Sequence, residues 1–373
     1  MSTSSNRMPL IDALKALAAM LVLLNHFSSY GPLAELSREA FPALFNWFFE
    51  YGRMAVQIFL VIAGFLAARG LSREGQALAG SPFPLLWKRY LRLAIPYLAA
   101  LGLAIAAAAV ANQWLDDDFV PGRATLGQWL AHAFLLHGIL GIEALSAGVW
   151  YIAIDFQLFA LMALLLWGGR RRLIAPALVL AVATLSLFWF NRDAALDNWA
   201  IYFFGSYGLG AAAWWASDRR QMSAWLGVIA TVAIAALVVD FRLRIALALS
   251  IALILGFSRR TGLLERWPDV RPLAFLGQIS YSVFLVHFPV LLLANGLFAR
   301  FDLSSTNAAI GCMLLAIAAS LGVATLFYRW IESPAASQRI TSACGGLFGK
   351  QRDLLGKLPG LTTRLLTRFV GRA

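Results

Sequence analysis

Long apolar runs recur along the whole chain and are separated by short polar segments. A run of about 17–25 apolar residues matches the thickness of the bilayer hydrocarbon core when it forms an α-helix. The pattern therefore predicts an all-α fold, a polytopic bundle of transmembrane helices. The eleven candidate runs are 8–28, 53–69, 93–112, 126–141, 148–168, 173–190, 199–216, 222–239, 243–257, 275–298 and 307–330.

The distribution of positive charge indicates that one of these runs does not cross the membrane. Cytoplasmic loops of membrane proteins carry an excess of Lys and Arg. If all the runs crossed, the arginine cluster at 170–172 would face the side opposite to the basic loop at 73–92. The run 126–141 is the weakest candidate, because it is short and contains His132 and His137. We therefore predict about ten spanning helices, one short re-entrant or interfacial helix at 126–141, and both termini in the cytoplasm.

The composition is typical of a membrane protein and disfavours a nucleic-acid-binding or a disulfide-rich protein. The chain is 60% hydrophobic and 13% charged, whereas soluble domains are roughly half apolar and a quarter charged. The net charge of +12 comes from short clusters between apolar runs. Such clusters are typical of cytoplasmic loops, so we predict no nucleic-acid partner. The two cysteines, Cys312 and Cys344, are too few for a disulfide framework.

The chain is predicted to be one domain followed by a tail. Residues 1–334 form the transmembrane domain, and residues 335–373 carry seven cations against one anion. In the tail, apolar residues lie between the arginines of 364–372, a pattern typical of a basic amphipathic segment on anionic membrane lipids. A disordered, solubilising cytoplasmic tail is an equally good interpretation of the same residues.

The first apolar run contains ionisable residues, which are costly inside a membrane and often mark function. Lys15 and His26 are eleven residues apart, which puts them on the same face of one helix and about 16 Å apart along its axis. Lys15 is then near the cytoplasmic end and His26 near the external end. The alternative is that Lys15 reaches the cytoplasmic headgroups beside Asp12 while His26 sits at the outer interface.

Three further polar residues are expected at a similar depth. Counting from the predicted helix ends puts Asp155, His287 and Gln57 in the outer half of the membrane, in one layer with His26. A buried imidazole with a carboxylate within reach is an arrangement for general-base catalysis. This layer is therefore the candidate reaction site.

Two other clusters bear on ligand binding. Arg89 and Arg92 are at positions i and i+3 beside Lys88, so their guanidinium groups share one helical face and suit phosphate. Ordinary topology signalling is the alternative interpretation of this basic segment. His132 and His137 are five residues apart, about 140° around a helix, and form a poor metal site. We predict that the protein binds no metal.

Six motif-like segments follow one another along the chain: Lys15 followed by ten residues and His26, the stretch 52–65, Arg89 and Arg92 before Pro96, the stretch 150–159, the stretch 279–289 with His287, and the stretch 329–334. Together they resemble the motifs of one family of membrane enzymes, acyltransferase family 3. Three positions depart from the family pattern. Gln57 stands where Asp is common and supplies no charge, and Ala63 stands where Ser is frequent. Asp155 replaces the usual Glu and keeps the charge on a shorter arm.

The resemblance implies an O-acyltransferase of the cell inner membrane. Its donor is cytoplasmic acyl-CoA, with acetyl-CoA as the family default, and its acceptor is a hydroxyl of a carbohydrate or cell-envelope glycan. We hypothesise that His26 deprotonates this hydroxyl, while His287 or Asp155 orients the imidazole or holds the acceptor. A covalent acyl-histidine intermediate is the alternative within this class. The residues expected to bind the CoA phosphates are Lys15, Arg89 and Arg92, and those expected to be catalytic are His26, Asp155 and His287.

Two other classes of function are compatible with the same pattern. A polar-lined helix bundle also describes transporters and flippases, although these often have paired halves or interrupted helices, and neither is evident here. A non-catalytic membrane partner is the third possibility and predicts no binding of CoA at Arg89 and Arg92. Consumption of an acyl thioester without a gradient distinguishes the enzyme from both alternatives.

Overall fold

The computed structural model describes residues 7–169, 174–218, 224–336 and 338–339, and every regular element in these ranges is helical. The predicted all-α fold is thereby confirmed. The arginine cluster at 170–172 and the predicted basic tail from residue 340 onward, with Cys344, lie outside the described residues. Helices α1 to α15 are, in chain order, Pro9–Ser29, Gly31–Ala40, Pro42–Tyr51, Val56–Leu71, Phe83–Ala111, Leu126–Ala133, Trp150–Gly168, Ile174–Phe188, Ala200–Ala216, Ala224–Val239, Leu243–Thr261, Leu263–Arg266, Arg271–Gln278, Ser280–Arg300 and Thr306–Phe327.

The chain divides into two compact units, Met1–Thr325 and Leu326–Ala373. The first unit contains α1 to α14 and all but the last two residues of α15. In the second unit, the described residues include a π-helical turn at Tyr328–Glu332. The domain boundary between residues 334 and 335 stays a prediction.

The described part of the chain contains seven helical segments that are long and apolar enough to cross a membrane, and the protein is an integral membrane protein. The predicted count of ten crossings is not confirmed. It includes α9, which has only 17 residues, and α10, whose described part has 16 residues. It also includes α11, whose last turn carries Arg259 and Arg260. The seven segments are Pro9–Ser29, Pro42–Leu71, Phe83–Ala111, Trp150–Gly168, Ile174–Arg192, Ser280–Arg300 and Thr306–Glu332.

The run 126–141 forms a short helix followed by turns. Helix α6 has eight residues, which is about 12 Å and too short to cross the hydrocarbon core. A capping box fixes its first turn: the Gln128 N–H donates to the Thr125 hydroxyl oxygen, and the Thr125 N–H donates to the Gln128 side chain. The structure thus agrees with the prediction that this run does not span. Its re-entrant or interfacial position stays a prediction.

Helices α4 and α9 pack with their backbones in contact. A Cβ atom at Gly64 would collide with the carbonyl oxygen of Tyr207, and one at Gly210 would collide with the carbonyl oxygen of Val61. Small residues allow helices to approach this closely in membrane proteins, where packing replaces the hydrophobic effect as the main attraction between helices. This pair forms a rigid side of the bundle.

Four helices, α1, α5, α7 and α14, carry the residues predicted to be catalytic or to bind CoA. Helix α14 is tied to α5 by Tyr281, whose hydroxyl donates to the Leu93 carbonyl at 3.0 Å. Helix α7 is tied to α5 by an ion pair between Arg89 and Asp155. Helix α1 meets α14 at a pair of histidines. These contacts define the position of the candidate site.

Candidate active site

His26 of α1 and His287 of α14 are in direct contact. Nδ1 of His26 lies 2.7 Å from Nε2 of His287, and the two rings stack with their centroids 4.9 Å apart. His287 is completely buried, whereas His26 is partly accessible. The structure therefore brings together the two histidines that the sequence predicted in one layer.

The hydrogen bonds around this pair determine which nitrogens carry protons. Nδ1 of His287 lies 2.9 Å from the carbonyl oxygen of Val283, which can only accept, so Nδ1 is the protonated nitrogen. Nε2 of neutral His287 must then accept a hydrogen bond, and Nδ1 of His26 donates it. Neutral His26 is left with an unprotonated Nε2. This is the nitrogen that can take a proton from a substrate.

Aromatic rings surround His26 at the end of α1. The ring of Tyr30 lies edge-on to His26 with centroids 5.6 Å apart, and Phe119 stacks on Tyr30 at 5.7 Å. Phe288 packs edge-on against both His26 and Tyr30. Burial raises the pKa of the Tyr30 hydroxyl, so this group is a neutral hydrogen-bond donor near neutral pH. Sequence reasoning missed Tyr30 and Phe119, because neither stands in a motif that points to His26.

The segment before α7 also approaches His26. Gly148 has a φ of +79°, a left-handed conformation that favours glycine. A Cβ atom at this position would lie 3.5 Å from Cε1 of His26 and 3.2 Å from Cζ of Phe284. Glycine thus lets the backbone pass close to the imidazole. The sequence offered one signal for the importance of Gly148, which is its position two residues before the motif that begins at Trp150.

Asp155 is not a direct partner of the histidines. Its Oδ2 lies 2.5 Å from Nη2 of Arg89, and the Arg89 guanidinium also lies over the ring of Phe159 at 5.3 Å from its centroid. The Asp155 side chain is 6% exposed and that of Arg89 is 25% exposed. Tyr151, one turn before Asp155 on α7, contacts Phe284 with ring centroids 5.4 Å apart. The ion pair therefore forms a separate polar group beside the histidine pair.

The remaining predicted ligand residues lie in different surroundings. Arg92 is exposed, whereas Arg89 is directed into the bundle toward Asp155. Lys15 lies 3.9 Å from the carboxylate of Asp12, which also binds Arg7 at 2.9 Å. The sequence predicted that Arg89 and Arg92 present their guanidinium groups on one helical face. In the structure only the Arg92 side chain is exposed, whereas Arg89 contacts Asp155.

Gln57 forms its hydrogen bond with a residue outside the histidine pair. Its side-chain oxygen accepts a hydrogen bond of 2.6 Å from the hydroxyl of Ser206 on α9. Both residues are buried, and this bond links α4 to α9. Gln57 therefore has a hydrogen-bond partner within the α4 and α9 packing, and its depth in the membrane stays a prediction.

His132 and His137 form a second stacked pair, with ring centroids 4.2 Å apart. Nδ1 of His132 donates to the Gln128 carbonyl at 2.7 Å, and Nε2 accepts from the Leu145 N–H at 3.1 Å. Burial lowers the pKa of His132, and burial beside His132 lowers the pKa of His137 to about 4. Both rings are therefore neutral near pH 7, and His132 fastens the segment that leads to Gly148.

The side chains that could ligate a metal ion do not cluster in the described part of the chain. No group of three or more His, Cys, Asp or Glu residues that could hold a metal ion occurs among the described residues. The absence of a metal cofactor stays a prediction.

Comparisons with known proteins add an independent line of argument. The peptidoglycan O-acetyltransferase OatA of Listeria monocytogenes is 22% identical over 374 residues, which cover 89% of this chain and 56% of that protein. The regulator of hypoxia-inducible factor 1 of Caenorhabditis elegans is 27% identical over 170 residues, which cover 42% of this chain and 33% of that protein. The chain thus spans about half or less of these curated relatives. No solved structure matches it.

The family of the chain follows from a match over most of its length. The acyltransferase domain of acyltransferase family 3 matches residues 9–329. This range contains both histidines of the pair, the ion pair of α5 and α7, and the segment around Gly148. The resemblance inferred from the sequence motifs is confirmed, and this chain belongs to acyltransferase family 3.

Proposed function

We propose that this protein transfers an acyl group, acetyl by preference, from acyl-CoA to a hydroxyl group of a cell-envelope glycan. The observation that carries the proposal is the hydrogen-bonded series from the Val283 carbonyl through His287 to His26. It fixes the tautomer of His26 and leaves Nε2 as a base on the more accessible ring. Family membership supplies the reaction class.

The proposed transfer is a single displacement. Nε2 of His26 takes the proton of the acceptor hydroxyl as the oxygen attacks the thioester carbonyl carbon. A carbon–oxygen bond forms, the carbon–sulfur bond breaks, and the proton passes from His26 to the thiolate of CoA. His287 holds the His26 ring and accepts its Nδ1–H hydrogen bond throughout, so it acts as a positioning residue. The acyl-histidine route, in which His26 itself attacks the thioester, is the alternative within this proposal.

The donor is proposed to reach His26 from the cytoplasmic side. Exposed Arg92 and the Lys15 side chain are candidates for the CoA phosphates, because cations at the end of a bundle bind phosphate favourably. Arg89 retains a buried Nε with no hydrogen-bond partner among the described residues. In this proposal that donor binds a carbonyl of the pantetheine arm, while the other end of the guanidinium stays on Asp155. Asp155 then acts by positioning Arg89 rather than by touching the imidazole.

The acceptor is proposed to be a glycan that approaches on the external side. The relative from Listeria monocytogenes is named for peptidoglycan O-acetylation. Beside His26, the rings of Tyr30 and Phe119 supply apolar faces next to the base. Such faces suit the C–H side of a sugar ring, and the neutral Tyr30 hydroxyl can bind a sugar oxygen. In this proposal the protein lies in the cell inner membrane, membrane lipids surround the helix bundle, and both termini are in the cytoplasm.

The proposal is tested with purified full-length protein in lipid nanodiscs. Acetyl-CoA labelled in the acetyl group is supplied with soluble peptidoglycan fragments, and free CoA and labelled glycan are measured. We expect equal amounts of both products without any ion gradient. A protein that binds the glycan fragments but consumes no thioester would contradict the proposal and favour transport.

A further inference from the structure

A small cavity lies between α5, the segment before α7, and α14. It is lined by Tyr97, Ala100, Leu101, Ser146, Ala147, Val149, Phe284 and Leu285. The Tyr97 side chain is completely buried, and its hydroxyl has no hydrogen-bond partner among the described residues. A buried hydroxyl without a partner is costly, because it has lost its hydrogen bonds to water. We name this cavity, defined by the eight lining residues, the Tyr97 cavity.

The Tyr97 cavity borders the histidine pair. Ala147 and Val149 line it, and Gly148 between them approaches Cε1 of His26. Phe284 also lines the cavity, and its ring centroid lies 6.3 Å from that of His287. The Tyr97 cavity and the histidine pair therefore share Phe284 and the segment around Gly148 as neighbours.

The size and chemistry of the cavity suit a very small, mostly apolar group. It has room for about one water molecule, which is close to the size of one methyl group. Alanine, valine, leucine and phenylalanine side chains form most of its wall. Tyr97 and Ser146 carry the two side-chain hydroxyl groups among the lining residues, and that of Tyr97 has no hydrogen-bond partner among the described residues. A methyl group joined to a carbonyl meets both conditions.

We propose that the Tyr97 cavity is the acyl subsite and that it selects acetyl over longer acyl groups. The methyl group of the acetyl thioester occupies the cavity, and the Tyr97 hydroxyl donates a hydrogen bond to the thioester carbonyl oxygen. This inference rests on the proposed function, and it assigns the preference for acetyl to the residues that line the Tyr97 cavity. Tyr97 is then a binding residue for the reacting carbonyl.

The hydrogen bond has a role in the transfer step. When the acceptor oxygen adds to the carbonyl carbon, negative charge develops on the carbonyl oxygen. The Tyr97 hydroxyl stabilises this charge as a hydrogen-bond donor and keeps its own proton. When the carbon–sulfur bond breaks, the carbonyl is restored and the ester leaves the cavity with its methyl group.

The size limit is tested with Val149→Ala, which enlarges the cavity. Purified wild type and variant are compared with acetyl-, propionyl- and butyryl-CoA, using soluble peptidoglycan fragments as acceptor. One methylene changes discrimination in an apolar pocket by about 10- to 200-fold. We expect wild type to prefer acetyl-CoA and the variant to raise the ratio of propionyl to acetyl transfer at least about 10-fold. Val179→Ala, at a buried valine on α8 that does not line the cavity, is the matched control and leaves the ratio unchanged.

The hydroxyl is tested separately with Tyr97→Phe, which keeps the ring. Removing one donor to a developing oxyanion lowers kcat by about 100- to 1,000-fold. We expect a fall of this order in kcat for acetyl transfer with little change in the KM for acetyl-CoA. Tyr202→Phe, at another buried tyrosine, is the matched control and retains kcat. A structural role for the Tyr97 hydroxyl would instead lower thermal stability without this selective loss of kcat.

The outcomes separate this inference from the proposed function. If wild type transfers acetyl but uses butyryl-CoA equally well, or if both variants behave as wild type, the inference is wrong and the proposed function stands. If wild type transfers no acyl group from any of the three thioesters, the proposed function fails and the inference fails with it. A folding defect in one variant leaves the other variant and the wild-type chain-length series to decide.

Discussion

At the scale of single residues, the proposed mechanism depends on the tautomers of the histidine pair. His287 accepts from His26 because its own Nδ1–H is held by the Val283 carbonyl. A neutral imidazole in this place resembles an orienting carboxylate in function, but it adds no charge to the interior of the bundle. It therefore avoids the cost of a buried ion while it fixes the ring of the base.

Replacing His287 tests this positioning role. His287→Ala removes the acceptor for Nδ1–H of His26, and we expect kcat to fall by about 10- to 100-fold, a part of the usual contribution of a general base. His287→Gln offers an amide oxygen near the position of Nε2 and should recover part of the loss. The measurement is kcat across pH for both variants. Equal activity of the Ala and Gln variants would contradict the role of His287 as a hydrogen-bond acceptor.

At the scale of elements, one buried ion pair connects α5 to α7. The Arg89 and Asp155 side chains are mostly shielded from solvent, so the loss of one partner leaves a buried charge without compensation. The pair also determines where the first turns of α5 lie relative to the Trp150 end of α7. The ion pair thus connects the basic start of α5 to helix α7 beside the candidate site.

We expect Arg89→Met to destabilise the protein by about 3–5 kcal/mol, and the double variant Arg89→Met with Asp155→Leu to recover most of this loss. Thermal unfolding in detergent measures both. Arg192 and Asp240 form an exposed pair, with 44% and 40% of their side chains accessible, and provide a control. Arg192→Met should cost about 0–1 kcal/mol. If the double variant is as unstable as Arg89→Met plus Asp155→Leu taken separately, the two residues do not act as a pair.

The segment from α6 to α7 has its own pH dependence. The pKa of His137 is about 4 in the folded protein and about 6.5 in an unfolded chain. Between these values the unfolded state binds more protons, so stability falls as the pH falls from about 6.5 toward 4. Above this window the histidine is neutral in both states and has no effect on the pH dependence.

His137→Phe keeps a stacked ring but removes the titrating group. Between pH 7 and pH 5 we expect the Tm of wild type to fall more than that of the variant, by a few degrees at most, because about 1 kcal/mol shifts Tm by less than about 2–4 °C in a chain longer than about 250 residues. Thermal unfolding at matched ionic strength measures the difference. Parallel loss of Tm in both proteins would show that His137 does not carry the effect.

At the scale of the whole molecule, the sequence predicted the helical membrane architecture and a shared depth for two distant histidines, but not their contact. Apolar runs report helix formation directly, because every backbone group in a bilayer must be hydrogen-bonded within the protein. His26 and His287 were predicted at one depth by counting along their helices. The structure places them in hydrogen-bond contact.

The partner of Asp155 could not be predicted in the same way. The apolar run of α5 begins near residue 93, which suggested that Arg89 lies in a cytoplasmic loop. The helix begins at Phe83, ten residues earlier, and carries Arg89 into the bundle. Hydropathy detects the part of a helix that is apolar and does not detect its polar extension. Which face of that extension meets α7 depends on packing that no single run encodes.

The number of crossings shows a second limit of the apolar pattern. Positive charge in the loops separates the two sides of a membrane, but it does not give the length of each helix. Helix α9 has only 17 residues, about 26 Å, and such a length is shorter than the hydrocarbon core of about 30 Å. The loop charges supported ten crossings, whereas helix length and apolarity support seven in the described residues.

The central claim is that Nε2 of His26 is the base for acyl transfer, and His26→Ala tests it most directly. The rate of labelled acetyl transfer from acetyl-CoA to soluble peptidoglycan fragments is measured for purified wild type, His26→Ala and the control His137→Phe in nanodiscs. We expect His26→Ala to fold and insert normally and to transfer at least about 100-fold more slowly, because a general base contributes about 100- to 10,000-fold. The control should keep the parental rate. A folded, inserted His26→Ala protein that transfers acetyl at the parental rate would contradict the proposed mechanism in both its direct and its acyl-histidine form.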